Sequence, residues 1–198
     1  MFIQVIKAKV KDREGVKRLS DRWLSDLRPG AEGFLGATIG ITDDGTLVDV
    51  ARFESREAAM ANSARPEQGE WWAEFEGCLD GPAEFRESED VTISGHGDFD
   101  SAGFVQVMEG RLHDVEAARA FATESLDDLM RERPDLLGDV QIIHPDSTFT
   151  DVVYFVSEAA AREGEAAPPS PAMQKAMERM GDLLEVSAYH DLRDPWLA

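Results

Sequence analysis

Leu47 to Ala59 reads LVDVARFESREAA, an alternating run that breaks at Glu54-Ser55 into a helix start. Alternation over Leu47–Phe53 is the pattern of a strand. Ser55 followed by Glu57 supplies a helix N-cap and an acid in the first turn. The same pattern returns at Phe149–Ala161, FTDVVYFVSEAAA, with Phe53 on Phe155, Ser55 on Ser157 and Asp49 on Asp151, each 102 residues apart. Phe2-Ile3-Gln4-Val5 becomes Phe104-Val105-Gln106-Val107 at that offset. A repeat near half of a 198-residue chain is too long for a solenoid and right for two copies of one small domain. The expected lobes are 1–94 and 104–198. The segment 95–103, within the glycine-, serine- and acid-rich SGHGDFDSAG of Ser94–Gly103, reads as their linker.

Working outward, each lobe gives the same order of elements. Phe2–Val10 alternates as a strand. Asp12 caps a helix whose Val16, Leu19, Trp23 and Leu27 recur at helical spacing and which Pro29-Gly30 ends. Phe34–Ile41 and Leu47–Phe53 form a hairpin across Asp43-Asp44-Gly45. Ser55 caps a helix through about Ala64, Pro66 interrupts it, and helical character resumes over Glu70–Leu79. Ala83–Ile93 is the fourth strand. In the second lobe Phe104–Leu112 is a strand, and a helix capped by Asp114 carries Ala118, Phe121, Ala122, Leu126 and Leu129. Leu137–His144 and Thr148–Phe155 form the hairpin. Ser157 and Ser170-Pro171 start helices, and Leu183–Leu192 is the last strand before the tail Asp194–Leu197.

Two β-α-β-β-α-β lobes make an α+β protein with a ferredoxin-like four-stranded antiparallel sheet in each lobe. Both parities of the first strand are apolar, with Phe2 and Ile6 on one side and Ile3 and Val5 on the other. The second face therefore needs cover, and the expected arrangement packs the two sheets face to face as an intrachain pseudo-dimer. A further homodimer is compatible with this pattern.

With 40 acidic against 20 basic residues the net charge is −20. Such a surface repels phosphate backbones and anionic lipid, so neither nucleic acid nor membrane is an expected partner. Cys78 is the one cysteine, which rules out an intrachain disulfide and points to a reducing compartment. The N-terminus enters a strand at once, and no apolar run approaches the roughly 18 residues of a membrane span, so a cytoplasmic location is expected. With four His and one Cys no metal site is expected. A phosphate loop, a nucleophile elbow and a CxxC pair are absent.

At this point Arg52-Phe53-Glu54-Ser55-Arg56-Glu57-Ala58-Ala59 and Tyr154-Phe155-Val156-Ser157-Glu158-Ala159-Ala160 resemble the dimeric α/β-barrel superfamily, within it the antibiotic biosynthesis monooxygenase-like group. The likeness covers both lobes, specifying fold more sharply than function. It implies either a cofactor-independent monooxygenase-like enzyme acting on an aromatic or polyketide-like molecule in lobe one, or a non-catalytic small-molecule-binding or stress-associated barrel. No cofactor is implied by the first reading; a haem branch also exists in the superfamily.

By that resemblance, Asn62, Trp72 and Arg86 are the candidate catalytic residues, and Arg52, Trp71 and Phe75 the candidate substrate-binding ones. Amide and indole donors with a nearby guanidinium would hold the enolate of a phenolic substrate while it meets O₂. Adjacent Trp71 and Trp72 point about 100° apart on a helix, so one of them is expected to face a cavity and core filling is the competing role. Lobe two places Gly164 where Asn62 stands and a Met-rich stretch at the Trp pair. Its polar candidates are His144, Tyr154, Tyr189 and His190, with His144 or His190 as the haem-ligating option. His96 reads as a solvated loop residue and Cys78 as a small core residue. Asp49 and Asp151, mid-strand in both lobes, read as pairing residues, or as bases if buried.

Overall fold

The computed structural model describes residues 1–95 and 98–198, with the helical backbone alone over 122–130. The expectation for His96, and those for the side chains of Ala122, Leu126 and Leu129, lie outside the described residues. In chain order the elements are β1 (Phe2–Lys9), α1 (Arg13–Arg22), β2 (Phe34–Ile41), β3 (Thr46–Phe53), α2 (Arg56–Ser63), α3 (Pro66–Glu76), β4 (Glu84–Ser88) and β5 (Asp90–Gly95). There follow β6 (Phe104–Leu112), α4 (Val115–Glu132), β7 (Leu136–Ile143), β8 (Thr148–Phe155), α5 (Glu158–Ala166), α6 (Pro171–Leu183), β9 (Leu184–Leu192) and β10 (Trp196–Leu197). The fold is α+β and duplicated: two antiparallel five-stranded sheets in ferredoxin-like units. One unit comprises Met1–Val91 with Asp194–Ala198, the other Thr92–Arg193. Among the described residues no helix is long and apolar enough to cross a membrane.

In the first unit the sheet order is β10-β2-β3-β1-β4. The registers Ile6↔Asp49, Ile39↔Asp49 and Ile6↔Phe85 put these side chains on one sheet face. That face meets the helices. Val16 and Leu19 of α1 and Trp71 and Phe75 of α3 pack with Ala8, Ala37, Ile39 and Leu47. The other face, with Ile3, Val5, Val48 and Val50, is also buried. Asp12 caps α1 by accepting from the Gly15 amide at 2.9 Å. Ser55 and Ser157 cap α2 and α5 alike, each Oγ accepting from the amide three residues on at 3.2 Å. The joint of the duplicated stretch is thus the same in both units.

The second sheet has the order β5-β7-β8-β6-β9. Among the described residues its interior holds a cluster of Phe104, Val153, Phe155 and Ala161 and another of Leu112, Ala118, Ile143 and Phe149, with Met108 packed against both. No residue of α6 is buried, and its Met177 is 52 % exposed. Its counterpart α3 buries Trp71 and Phe75.

Three expectations need correction. The single fourth strand over Ala83–Ile93 is two strands broken at Glu89, β4 in the first sheet and β5 in the second. The tail is no mere appendage: β10 pairs with β2 through Trp196↔Ile39 and Leu197↔Thr38, and Ala37 and Ala198 exchange backbone bonds of 2.7 and 3.0 Å. Each sheet is therefore five-stranded, its added edge strand drawn from the other half of the sequence. Gly36 and Gly138 stand at matching bulges in β2 and β7, with φ of 147° and 155°. A Cβ on Gly36 would overlap the Ala198 carbonyl, and one on Gly138 the Ser94 carbonyl. Small residues there let the added strands approach. Helix α3 also begins at Pro66 rather than Glu70, because proline suits the first helical position.

The two hairpin turns place different residue types at the same left-handed position. Gly45 turns with φ of 82°, while its counterpart Ser147 adopts a φ of 62°. A side chain in this left-handed region is strained by roughly 1 kcal/mol. Ser147→Gly is expected to raise stability by about 0.5–1 kcal/mol, read as a higher urea midpoint with unchanged slope.

Candidate functional site

A cavity of about 300 Å³ lies within the first unit, between the helix-facing side of its sheet and the helices. The sheet supplies Gln4 and Ile6 from β1, Ala37 and Ile39 from β2, Asp49, Ala51 and Phe53 from β3, and Phe85 from β4. Strand alternation explains this set, since every member lies on one face. Above it, Trp71 and Trp72 come from α3, and Asn62 and Ser63 from the end of α2. Trp23 and Leu24 come from the residues just after α1, where Trp23–Leu27 widens into a π-helical turn. Such insertions recur at functional sites because they re-aim side chains out of α-helical register. Trp23 is fixed there by donating its indole N–H to Gln68 Oε1 at 2.6 Å. Exposed Ser63 and Gly69 sit at the rim, on either side of the α2–α3 joint.

The six named candidates fall into three groups. Asn62, Trp71 and Trp72 reach the cavity. Asn62 is buried, and its Oδ1 accepts from Arg65 Nη1 at 2.9 Å, which leaves the amide nitrogen as its remaining donor. Trp71 and Trp72 both line it, correcting the expectation that only one would. Their large rings lie 6.1 Å apart and tilted by 45°, so both edges reach the same space. The Trp71 indole N–H is committed to the Leu19 carbonyl at 2.8 Å, so Trp72 is the indole that remains for a ligand. Phe75 is core: it stacks on Trp71 at 4.8 Å and is not a lining residue. Arg52 and Arg86 stand opposite Ile3 and Val5, on the other sheet face, and line no part of the cavity. Arg52 donates to Thr38 Oγ1 at 3.3 Å. Strand parity separates both arginines from Asn62.

On the cavity side of β3, three residues before Arg52, stands Asp49. It lines the cavity, and its Oδ1 is buried with no hydrogen-bond partner. Burial lifts the carboxyl to about 7, with the charge of Arg52 pulling the other way. The expectation of a pairing residue therefore gives way to a buried acid poised near neutrality, which suits a general base. Gln4, Ser20, Trp23, Leu24 and Gln68 were not among the sequence candidates. The alternation that puts Gln4 beside Phe2 and Ile6 was the signal available for Gln4; the π-helical turn left no signal for Trp23.

In the second unit Asp151 occupies the place of Asp49, with Met108 and Gln141 as its cross-strand neighbours. Asp139, at the position of Ala37, is the nearby second acid. Burial and the adjacent Asp139 push the Asp151 carboxyl well up. Asp139 itself is lifted by burial to about 6. Asp139 Oδ1, Gln141 Oε1 and Asp151 Oδ1 are all buried without partners. The other candidates of this unit are dispersed. His144 is buried with Nε2 at 3.0 Å from Thr150 Oγ1, and His190 Nε2 lies 3.1 Å from Glu109 Oε2. Tyr154 is buried and stacked on Phe99 at 4.5 Å, whereas Tyr189 is 61 % exposed. Among the described residues no cluster of three or more His, Cys, Asp or Glu side chains could hold a metal ion. Cys78 is buried in the first core, and burial pushes its thiol up, away from reactivity.

No protein-family model and no curated protein sequence matches the chain. Solved structures do. A proposed monooxygenase from Lactobacillus acidophilus is similar over 100 % of this chain and 98 % of its own, with a TM-score of 0.72 at 12 % identity. A proposed monooxygenase from Fusobacterium nucleatum gives 0.72 at 12 % identity, covering 99 % and 91 %. An anthrone oxidase-like protein gives 0.69 at 10 % identity, covering 99 % and 90 %. Across its whole length, then, the chain has the duplicated ferredoxin-like fold of these monooxygenase-like proteins.

Proposed function

We propose that the first unit is a cofactor-independent oxygenase for a flat hydroxy-aromatic or polyketide-like molecule, with Asp49 as its base. One observation carries the reading: an aromatic-walled cavity of about 300 Å³ is lined both by a buried carboxyl titrating near 7 and by an asparagine side chain. Its volume is at the lower end of small-molecule sites. The ionised Asp49 takes a proton from the acidic C–H or O–H of the substrate. Asn62 and Trp72 donate hydrogen bonds to the resulting enolate oxygen, whose charge is greatest after that transfer. The enolate passes one electron to O₂, and the radical pair combines to a peroxide that recovers the proton from Asp49. Loss of water leaves a new carbonyl, so one oxygen atom enters the product and the other leaves as water.

The names of the fold neighbours suggest an anthrone as the first compound to try. Oxygen uptake should be followed with anthrones, naphthols and hydroquinones, comparing the native chain with Asn62→Ala. Removing one oxyanion donor is expected to lower the rate by about 10²–10³-fold. Equal rates would reject the role of Asn62. Saturable binding without oxygen consumption would instead favour the non-catalytic binding protein.

A further inference from the structure

Four of the aromatic side chains around the cavity are Trp23, Trp72, Phe34 and Phe53, and the ionisable group among them is Asp49. Among the described lining residues there is no Lys, Arg or His. Of the cations nearby, Arg28 lies over the ring of Phe34, its guanidinium 5.8 Å from the centroid, and two others are committed elsewhere. Arg52 is on the far sheet face, and Arg65, behind Asn62, also bonds the Leu27 carbonyl at 3.0 Å and Glu67 at 2.9 Å. The rim segment Glu67-Gln68-Gly69-Glu70 adds exposed acids, on a chain of net charge −20.

These facts decide which charge a ligand can carry. A carboxylate entering this space loses its water and meets no basic lining residue to compensate it. It must also sit beside Asp49, where two carboxyls cannot both stay ionised without penalty. An uncharged hydroxy-aromatic meets neither cost. Its hydroxyl donates to the unpartnered Asp49 Oδ1, satisfying an acceptor that is otherwise costly to bury. Its rings lie against the aromatic walls. Resting on the reading of this cavity as the ligand site, we infer that it selects uncharged hydroxy-aromatic molecules and rejects their carboxylated analogues.

Isothermal titration of the full chain at pH 8 separates the cases, using 2-naphthol, 2-naphthoate and 2-naphthylmethylammonium as probes of one ring size. Naphthol is expected to bind at least about tenfold more tightly than naphthoate, a gap of about 1.4 kcal/mol. In Asp49→Asn that gap should shrink, because the repelling charge is gone. Naphthoate binding as tightly as naphthol overturns the inference, as does the absence of binding by all three probes. An ammonium probe binding more than tenfold better than naphthol also overturns it, by making the site an amine receptor. The native-chain ratio stands as the test even if the variant fails to fold. Because the readout is affinity, selective naphthol binding with no oxygen uptake refutes the oxygenase reading and leaves this inference intact. Oxygen uptake with unselective binding does the reverse.

Discussion

Replacing Asp49 by asparagine is expected to lower oxygen uptake about 10²–10⁴-fold and, in the same molecule, to raise stability at pH 8. Asparagine keeps the size of the side chain and cannot take up the proton. The stability gain follows from where the carboxyl titrates. Burial holds it at about 7 in the folded protein, against 3.8 when free. Between those values the folded state keeps a proton that the unfolded state has released, so folding weakens as pH rises through that window. Well below the free value of 3.8 both states hold the proton, and the cost of ionising the buried group vanishes. Above pH 7 the full penalty applies, about 4 kcal/mol for three pH units at 1.36 kcal/mol each. Urea unfolding of both proteins should nearly coincide at pH 4 and diverge at pH 8, with the variant the more stable. Undiminished uptake would refute the base; a variant less stable at pH 8 would refute the cost of ionising a buried acid. The trade of stability for a reactive group is the usual one at active sites.

Asp151→Asn is expected to stabilise the second unit in the same direction. Here two carboxyls share a buried region, and each has an oxygen without a partner. Burial raises both, and the neighbouring Asp139 raises Asp151 further. As the pH climbs from the free carboxyl value through about 6 and beyond, the folded state must surrender protons it holds more tightly than the unfolded chain does. Stability is therefore lost on the alkaline side. An amide at 151 removes one of the two charges and can donate to Asp139. The melting temperature at pH 8 should rise by several degrees, at about 2–4 °C per kcal/mol for a chain of this size, and change little at pH 4. A fall at pH 8 would show that the Asp151 carboxylate is compensated in the folded state.

The duplication and the order of elements were legible because they rest on local signals repeated at one offset: alternation, Ser55 and Ser157 at helix starts, and turn residues between paired strands. Asn62 and Trp72 were legible only through resemblance, yet both line the cavity. The resemblance names Arg52 and Arg86 beside them, and strands buried on both faces lose the contrast between apolar and polar parity that would set the arginines apart. Val50 and Ala51 look alike in such a strand, and nothing local says which way Arg52 points. The same ambiguity hides which face Asp49 takes. The break at Glu89 carries no Gly or Pro, and its one local signal is the flanking pair Ser88 and Asp90, the Asp90 amide donating to the Ser88 hydroxyl at 3.0 Å. Two residues, Trp196 and Leu197, are too few to show any period.

The strand formed by that tail has a consequence for the order in which the protein can be made. β2 is synthesised more than a hundred and fifty residues before Trp196, and until the tail emerges from the ribosome its outer edge has no partner. An open strand edge is a template for pairing with another chain. The first unit can collapse early around Trp71 and Phe75, but its final strand closes only after the second unit has been translated. That long-range closure makes the unit with the candidate active site the last to be completed, though it is the first to be synthesised.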